Sequence, residues 1–252
     1  MNFSLEKIPK RSKKPRESGL TMVMDKGLSV RQAEDLVESS GELIDLLKLG
    51  FGSAYVTPNL EKKIAVYRSA GLPVYFGGTL LEAFIARNQF EDYRKLLDKY
   101  KVSHAEVSDG SISLTHAKKC EYIKKLSKQV TVISEVGSKE EGIIIHPNKW
   151  IEMIEKELQC GAWKVIAEAR ESGTVGIYRP SGKAHVVLIN KIIARISAEK
   201  IIWETPTKTG QIYFIKLLGA NANLGNIAPN EVLAVESLRL GLRSDTFFDF
   251  IK

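Results

Sequence analysis

Val130–Lys139 reads VTVISEVGSK, and Trp163–Gly173 reads WKVIAEARESG. Each begins as a short, β-branched apolar run, stops at a glutamate, and passes into a polar turn containing glycine. Runs of this length and composition, bounded by turn residues, read as buried strands. Outward from these two, the same rhythm recurs in Leu20–Met24, Ile44–Leu49, Pro73–Phe76 and His104–Ser108 upstream, and in Ile201–Glu204 and Asn221–Leu224 downstream. Helical patterns fill the intervals: Val30–Ser40, Leu60–Ala70, Leu81–Tyr100, Ser113–Lys128 and Lys149–Cys160. Start and stop signals support them, with Ser29 before the first, Pro58-Asn59 before the second, and Gly71 then Pro73 after it. Strand–helix alternation argues for parallel βα units. Eight units in 252 residues leave about 30 residues each, the spacing of a single-domain (β/α)8 barrel spanning Gly19–Lys252. An open doubly wound sheet is the alternative, but Asp25-Lys26-Gly27 after the first strand is not a G-x-G-x-x-G turn.

The ends of the strand-like runs carry the chemistry. They finish in Asp25-Lys26, Lys48, Glu106–Asp109, Glu135, Glu168–Glu171, Glu204 and Asn223, whereas their starts carry no comparable set. In a barrel these groups converge on the C-terminal mouth, where active sites lie. Glu106, Asp109, Glu135, Glu168 and Glu204 would repel one another at one point without a cation. Magnesium, an oxygen-seeking ion, suits such a set, and Glu106, Asp109, Glu135 and Glu168 are the candidate ligands. Lys26, Lys48, Lys139 and Arg170 supply positive charge for an anionic substrate. Gly173, Gly176 and Gly225 lie where backbone N–H groups would approach a phosphate, and Asn223 closes the last strand as a further substrate contact.

Other chemistries find little support. The four histidines show no H-x-H or H-E-x-x-H spacing, and neither a P-loop nor a nucleophile elbow is present. Lys164 is a candidate Schiff-base lysine, but it begins its strand and so faces away from the mouth. The net charge of +7 concentrates in Lys7, Lys10, Arg11, Lys13, Lys14 and Arg16; the rest of the chain carries +1. Residues 1–18 therefore read as a basic, solvated, poorly ordered arm, and without interleaved aromatics it gives no nucleic-acid interface. No run is long enough to span a membrane, no secretory h-region follows the first charges, and Cys120 and Cys160 lack motif spacing. A cytoplasmic protein with small-molecule partners is expected. The sequence leaves a homo-oligomer open.

At these strand ends the chain resembles the phosphosulfolactate synthase family. The matching pieces are Gly19–Ser29 (GLTMVMDKGLS), Lys48–Ser53 (KLGFGS), Gly78–Glu82 (GTLLE), Glu106–Gly110 (EVSDG), Ser134–Lys139 (SEVGSK), Glu168–Gly173 (EARESG), Trp203–Lys208 (WETPTK) and Asn223–Ile227 (NLGNI), in family order along nearly the whole chain. The resemblance implies a TIM barrel and a magnesium-dependent lyase that condenses sulfite with phosphoenolpyruvate to give (2R)-phospho-3-sulfolactate, a product that feeds coenzyme M synthesis in methane-producing archaea. It implies metal binding by Glu106, Asp109, Glu135 or Glu168, anion binding by Lys26, Lys48 and Arg170, and Lys139 as first choice for the proton donor. Phe51–Ala54 and Thr205–Thr207 depart from the family pattern. The readings kept beside it are another magnesium-dependent barrel lyase or aldolase acting on a phosphorylated enolpyruvate-like substrate, and a non-catalytic, stress-related relative.

Overall fold

The computed structural model describes residues 3–137, 146–169, 172 and 174–251. Its strands are β1 (Thr21–Asp25), β2 (Leu46–Leu49), β3 (Val74–Phe76), β4 (His104–Val107), β5 (Thr131–Val136), β6 (Ala162–Ala167), β7 (Ile201–Glu204) and β8 (Leu224–Ile227). All pair in parallel, in the order β3-β2-β1-β8-β7-β6-β5-β4. That order is a ring opened between β3 and β4. These two strands adjoin without a ladder, and the Gly78 N–H bridges the seam by donating to Glu106 at 2.8 Å. The architecture is the single-domain (β/α)8 barrel expected from the strand rhythm.

Ten helices accompany the strands: α1 (Val30–Ser40), α2 (Ser53–Val56), α3 (Leu60–Ser69), α4 (Gly78–Ile85), α5 (Phe90–Tyr100), α6 (His116–Leu126), α7 (Pro147–Gln159), α8 (Val186–Ile193), α9 (Lys208–Leu218) and α10 (Val232–Arg239). Helix α1 starts where Ser29 and Gln32 form a capping box. No helix among the described residues is long and apolar enough to cross a membrane.

The strand period of two sorts the apolar side chains into two separate clusters. Leu20, Met22, Leu46, Tyr75, Ile133, Ile166 and Ile202 fill the barrel interior, while a larger cluster joins the outer strand faces to the helices. Two residues beyond the interior cluster, the same strand faces present Met24, Lys48, Glu135, Glu168 and Glu204. The plug of the barrel thus doubles as the floor of its mouth.

Four expectations change. The last strand is Leu224–Ile227, displaced three residues from Asn221–Leu224. The single helix expected over Leu81–Tyr100 is two helices, because Asn88 turns into the left-handed region at φ 56°. Asp25 points away from the mouth toward α3, where it meets Lys63 at 2.8 Å and the Tyr67 hydroxyl at 2.9 Å. The basic leader lies across the N-terminal end of the barrel instead of standing in solvent. There Arg11 pairs with Glu236 and Arg16 with Asp45, each at 2.9 Å and with all four side chains largely buried. Arg11 also donates to the Ala220 carbonyl and the Asn221 side chain.

Candidate active site

The mouth holds a cavity of about 370 Å³, within the range of small-ligand sites. Met24, Lys48, Glu106, Glu135, Glu168, Glu204 and Asn226 line its strand-borne part, with Phe51, Gly78, Thr79, Ser111 and Ser172 above. Glu135, Glu168 and Glu204, all buried, each place one carboxylate oxygen within 4.8 Å of the others.

Lys48 organises the opposite side. Its ammonium lies 2.8 Å from Glu106 and 3.9 Å from Glu204. Burial alone would lower its pKa, but the charges of Glu106, Glu204 and Glu135 overcome that and raise it above the ordinary lysine value. Lys48 is therefore a fixed cation, unsuited to act as a neutral amine. Glu204 takes the opposite strain: burial first, then the Glu135 charge, push its carboxyl up to about 7 against the pull of Lys48. One ammonium does not neutralise this cluster. Beneath it, the Tyr75 hydroxyl is buried and held protonated by desolvation and by Glu106, Glu204 and Glu135. It lies against Glu106 without a well-aligned hydrogen bond.

Glycines bring the backbone close at two critical places. Gly137 (φ 153°) passes the Glu168 side chain so tightly that a methyl group would collide with its Cβ, and one on Gly176 (φ 64°) would strike the Glu168 carbonyl. These two positions clamp Glu168 between the β5 and β6 turns. On the other side, Gly78 at the start of α4 leaves room for Ser108, and Glu82 on the same helix accepts from the Ser108 hydroxyl and from the Gly110 and Ser111 N–H groups.

Of the residues singled out from sequence, Lys48, Glu106, Glu135 and Glu168 meet at the mouth. Lys139, Arg170 and Gly173 lie outside the described residues. Lys26 follows β1 on the exposed rim and does not line the cavity. Three placements are corrected. Asp109 turns away from the carboxylate cluster to pair with buried Lys119 at 3.0 Å, and Lys119 also reaches Glu157. Asn223 sits at the N-terminal end of the barrel, accepting from Leu20 N–H and donating to the Ile201 carbonyl, each at 3.0 Å. The three-residue displacement of β8 moves it there. Gly225 points into the barrel plug, where a methyl group would lie 2.7 Å from Met22 Cε and 2.9 Å from Ile202 Cγ2; it makes room for packing, not for a phosphate. Lys164 stands at the N-terminal end, as its place in the strand implies, bonded to the Glu17 and Glu199 carbonyls.

Sequence reasoning missed Asn226 and the structural use of Glu82. Glu204 was visible as a strand-end acid but was not placed among the metal ligands. Glu82 belongs to the GTLLE piece, yet a helical glutamate gives no local sign of the loop it holds.

Comparison with known proteins agrees with this architecture. Residues 9–245 match the family described as (2R)-phospho-3-sulfolactate synthase (ComA). The phosphosulfolactate synthase of Bacillus subtilis (strain 168) is 38% identical over 250 residues, covering 98% of this chain and 99% of its own. That of Methanothermobacter thermautotrophicus is 37% identical over 244 residues, covering 94% and 95%. Among solved structures, 3-hexulose-6-phosphate synthase from Salmonella typhimurium superposes with a TM-score of 0.57 at 10% identity, covering 88% of this chain and 99% of that one; the likeness concerns the fold alone. Full-length identity of this order, together with a family match across all eight strands, makes the chain a member of the phosphosulfolactate synthase family.

Proposed function

We propose that this chain is a carbon–sulfur lyase acting in the synthetic direction, adding sulfite to phosphoenolpyruvate to give (2R)-phospho-3-sulfolactate at the barrel mouth. The observation that carries the reading is one cavity in which three buried carboxylates stand beside a permanently charged lysine. The sulfite sulfur attacks the methylene carbon with its lone pair and forms the C–S bond. The π electrons of the double bond move onto C2 and the adjoining carboxylate, and a proton then reaches C2. The phosphate ester stays intact throughout, so the demand on the protein is to stabilise transient negative charge.

Glu135, Glu168 and Glu204 would hold magnesium: an all-oxygen donor set suits that ion, and the raised Glu204 pKa reflects repulsion that a cation removes. When bound, the metal supplies positive charge to the substrate carboxylate as it takes on enediolate character. Lys48 stays ammonium and offers a second fixed charge to the bound anions. Ser111 and Thr79 present hydroxyls to the cavity, and Met24 and Phe51 give it apolar wall that limits water. We assign anion attraction to Lys26 and Arg170, phosphate contact to the Gly173 backbone and protonation of C2 to Lys139, which follows Gly137 by two positions.

The test is to mix protein, phosphoenolpyruvate, sulfite and magnesium and follow phosphorus NMR with mass detection of the product. A new phosphomonoester bearing a sulfonate, absent when sulfite or magnesium is left out, is the expected result. A folded protein that consumes neither substrate would overturn the reading.

A further inference from the structure

Asn226 is the one residue at the mouth that sequence periodicity does not place there. Counting by twos along β8 from Gly225, which packs inside the barrel, the next inward position would be Ile227. Instead the register between β1 and β8 shifts: Thr21 faces Leu224, but Val23 faces Ile227, so β8 carries one extra residue between them. That is a β-bulge, and bulges re-aim side chains. Asn226 also adopts φ 57°, a left-handed conformation that asparagine tolerates better than most residues.

The side chain so placed is 8% exposed and lines the mouth cavity. Its Nδ2 donates to Glu204 Oε1 at 2.6 Å. A contact that close to a carboxylate oxygen identifies the nitrogen end of the amide, since the reverse assignment would set two acceptors together. The other end, Oδ1, is buried and has no hydrogen-bond partner. A buried carbonyl oxygen left without a donor costs about 1–3 kcal/mol, and such orphans in native proteins call for a ligand, an ion or water.

We propose that Asn226 is part of the cation site: Nδ2 orients the Glu204 carboxylate, and Oδ1 is the site's fourth protein oxygen, facing the cation or one of its waters. The inference rests on the reading of Glu135, Glu168 and Glu204 as a divalent-cation site. A neutral carbonyl adds a donor without adding to the repulsion that already raises Glu204. It also accounts for the bulge, which a plain barrel strand would not need. Its role is that of a binding and positioning residue, with no proton to give to the substrate.

The experiment measures Mn2+ affinity of the full chain by calorimetry and electron paramagnetic resonance, without substrate. Wild type, Glu135→Gln, Asn226→Gly and Asn226→Asp are compared, each checked for an unchanged melting temperature. Glycine keeps the left-handed backbone at residue 226 and removes only the amide; aspartate keeps an oxygen in place of Oδ1. Expected are one Mn2+ per wild-type chain, loss of binding in Glu135→Gln, affinity weakened about 10–100-fold in Asn226→Gly, the range for lost supporting contacts at metal sites, and substantial recovery in Asn226→Asp. Asn226→Gly binding like wild type while Glu135→Gln fails to bind would overturn the role of Asn226 and leave the three-carboxylate site standing. A wild-type chain that binds no Mn2+ would overturn both. If Asn226→Gly melts early, Asn226→Asp decides alone: undiminished affinity there supports the fourth oxygen, and affinity as poor as that of Glu135→Gln contradicts it.

Discussion

Glu168 is held in position by residues that have no functional group of their own. Gly137→Ala would force a methyl group into the Glu168 side chain and place a Cβ on a backbone at φ 153°. The expected outcome is a loss of about 1–3 kcal/mol in urea unfolding, the cost of one strained backbone position, with turnover falling at least tenfold because the carboxylate moves. Unchanged kinetics in a folded variant would mean that Glu168 is not needed where it stands. Lys139 is assigned from sequence alone, and Lys139→Ala should lower turnover by about 10²–10⁴-fold with substrate affinity little changed, the signature of lost acid catalysis in steady-state kinetics. At this scale the sequence was legible where a polar residue ends an alternating run, as with Lys48, Glu135 and Glu168. It was not legible for Asn226, because a bulge breaks the period on which the reading depends, nor for Asp109, because a buried lysine on α6 competes for its carboxylate.

Between elements, the β3–β4 seam is held by side chains where a ladder is missing. Glu106 accepts from the Gly78 N–H, and Glu82 accepts from three donors of the Ser108–Ser111 turn. Glu82→Ala would strand those donors, for an expected loss of about 2–4 kcal/mol in denaturant unfolding. Substrate affinity should weaken as well, because Ser111 lines the cavity. A variant as stable as wild type would show that the turn holds itself. Strand β7 and helix α1 were readable to the residue because their boundaries carry local chemistry, a terminal glutamate and a capping serine. Strand β8 was not: Asn221-Ala222-Asn223 precedes it without a turn signal, and the side chains of Asn221 and Asn223 serve Lys10, Leu20 and Ile201 far away in sequence.

Across the whole molecule, the barrel closes at its N-terminal end with its own leader. Removing residues 1–18 would leave Glu236 and Asp45 without Arg11 and Arg16, so the truncated chain should melt lower than the full one. Equal melting temperatures would return the leader to the solvated arm that its composition suggests; composition reports charge but not the acids it meets. The same end houses His104, whose pKa burial lowers from 6.5 to about 4. The folded chain binds fewer protons than the unfolded one in that window, so stability present above pH 6.5 declines as the pH falls toward 4. His104→Gln should flatten this decline by about 1–2 kcal/mol in pH-dependent unfolding. At the opposite end, the central claim is that the buried carboxylates of the mouth perform the chemistry. The most direct measurement is the rate of sulfonate formation from phosphoenolpyruvate and sulfite by wild type and by Glu135→Gln, with folding verified for both. A fall of about 10²–10³-fold in turnover, the scale of losing a preorganised electrostatic group, is the result predicted here; a Glu135→Gln chain that turns over like wild type would contradict it.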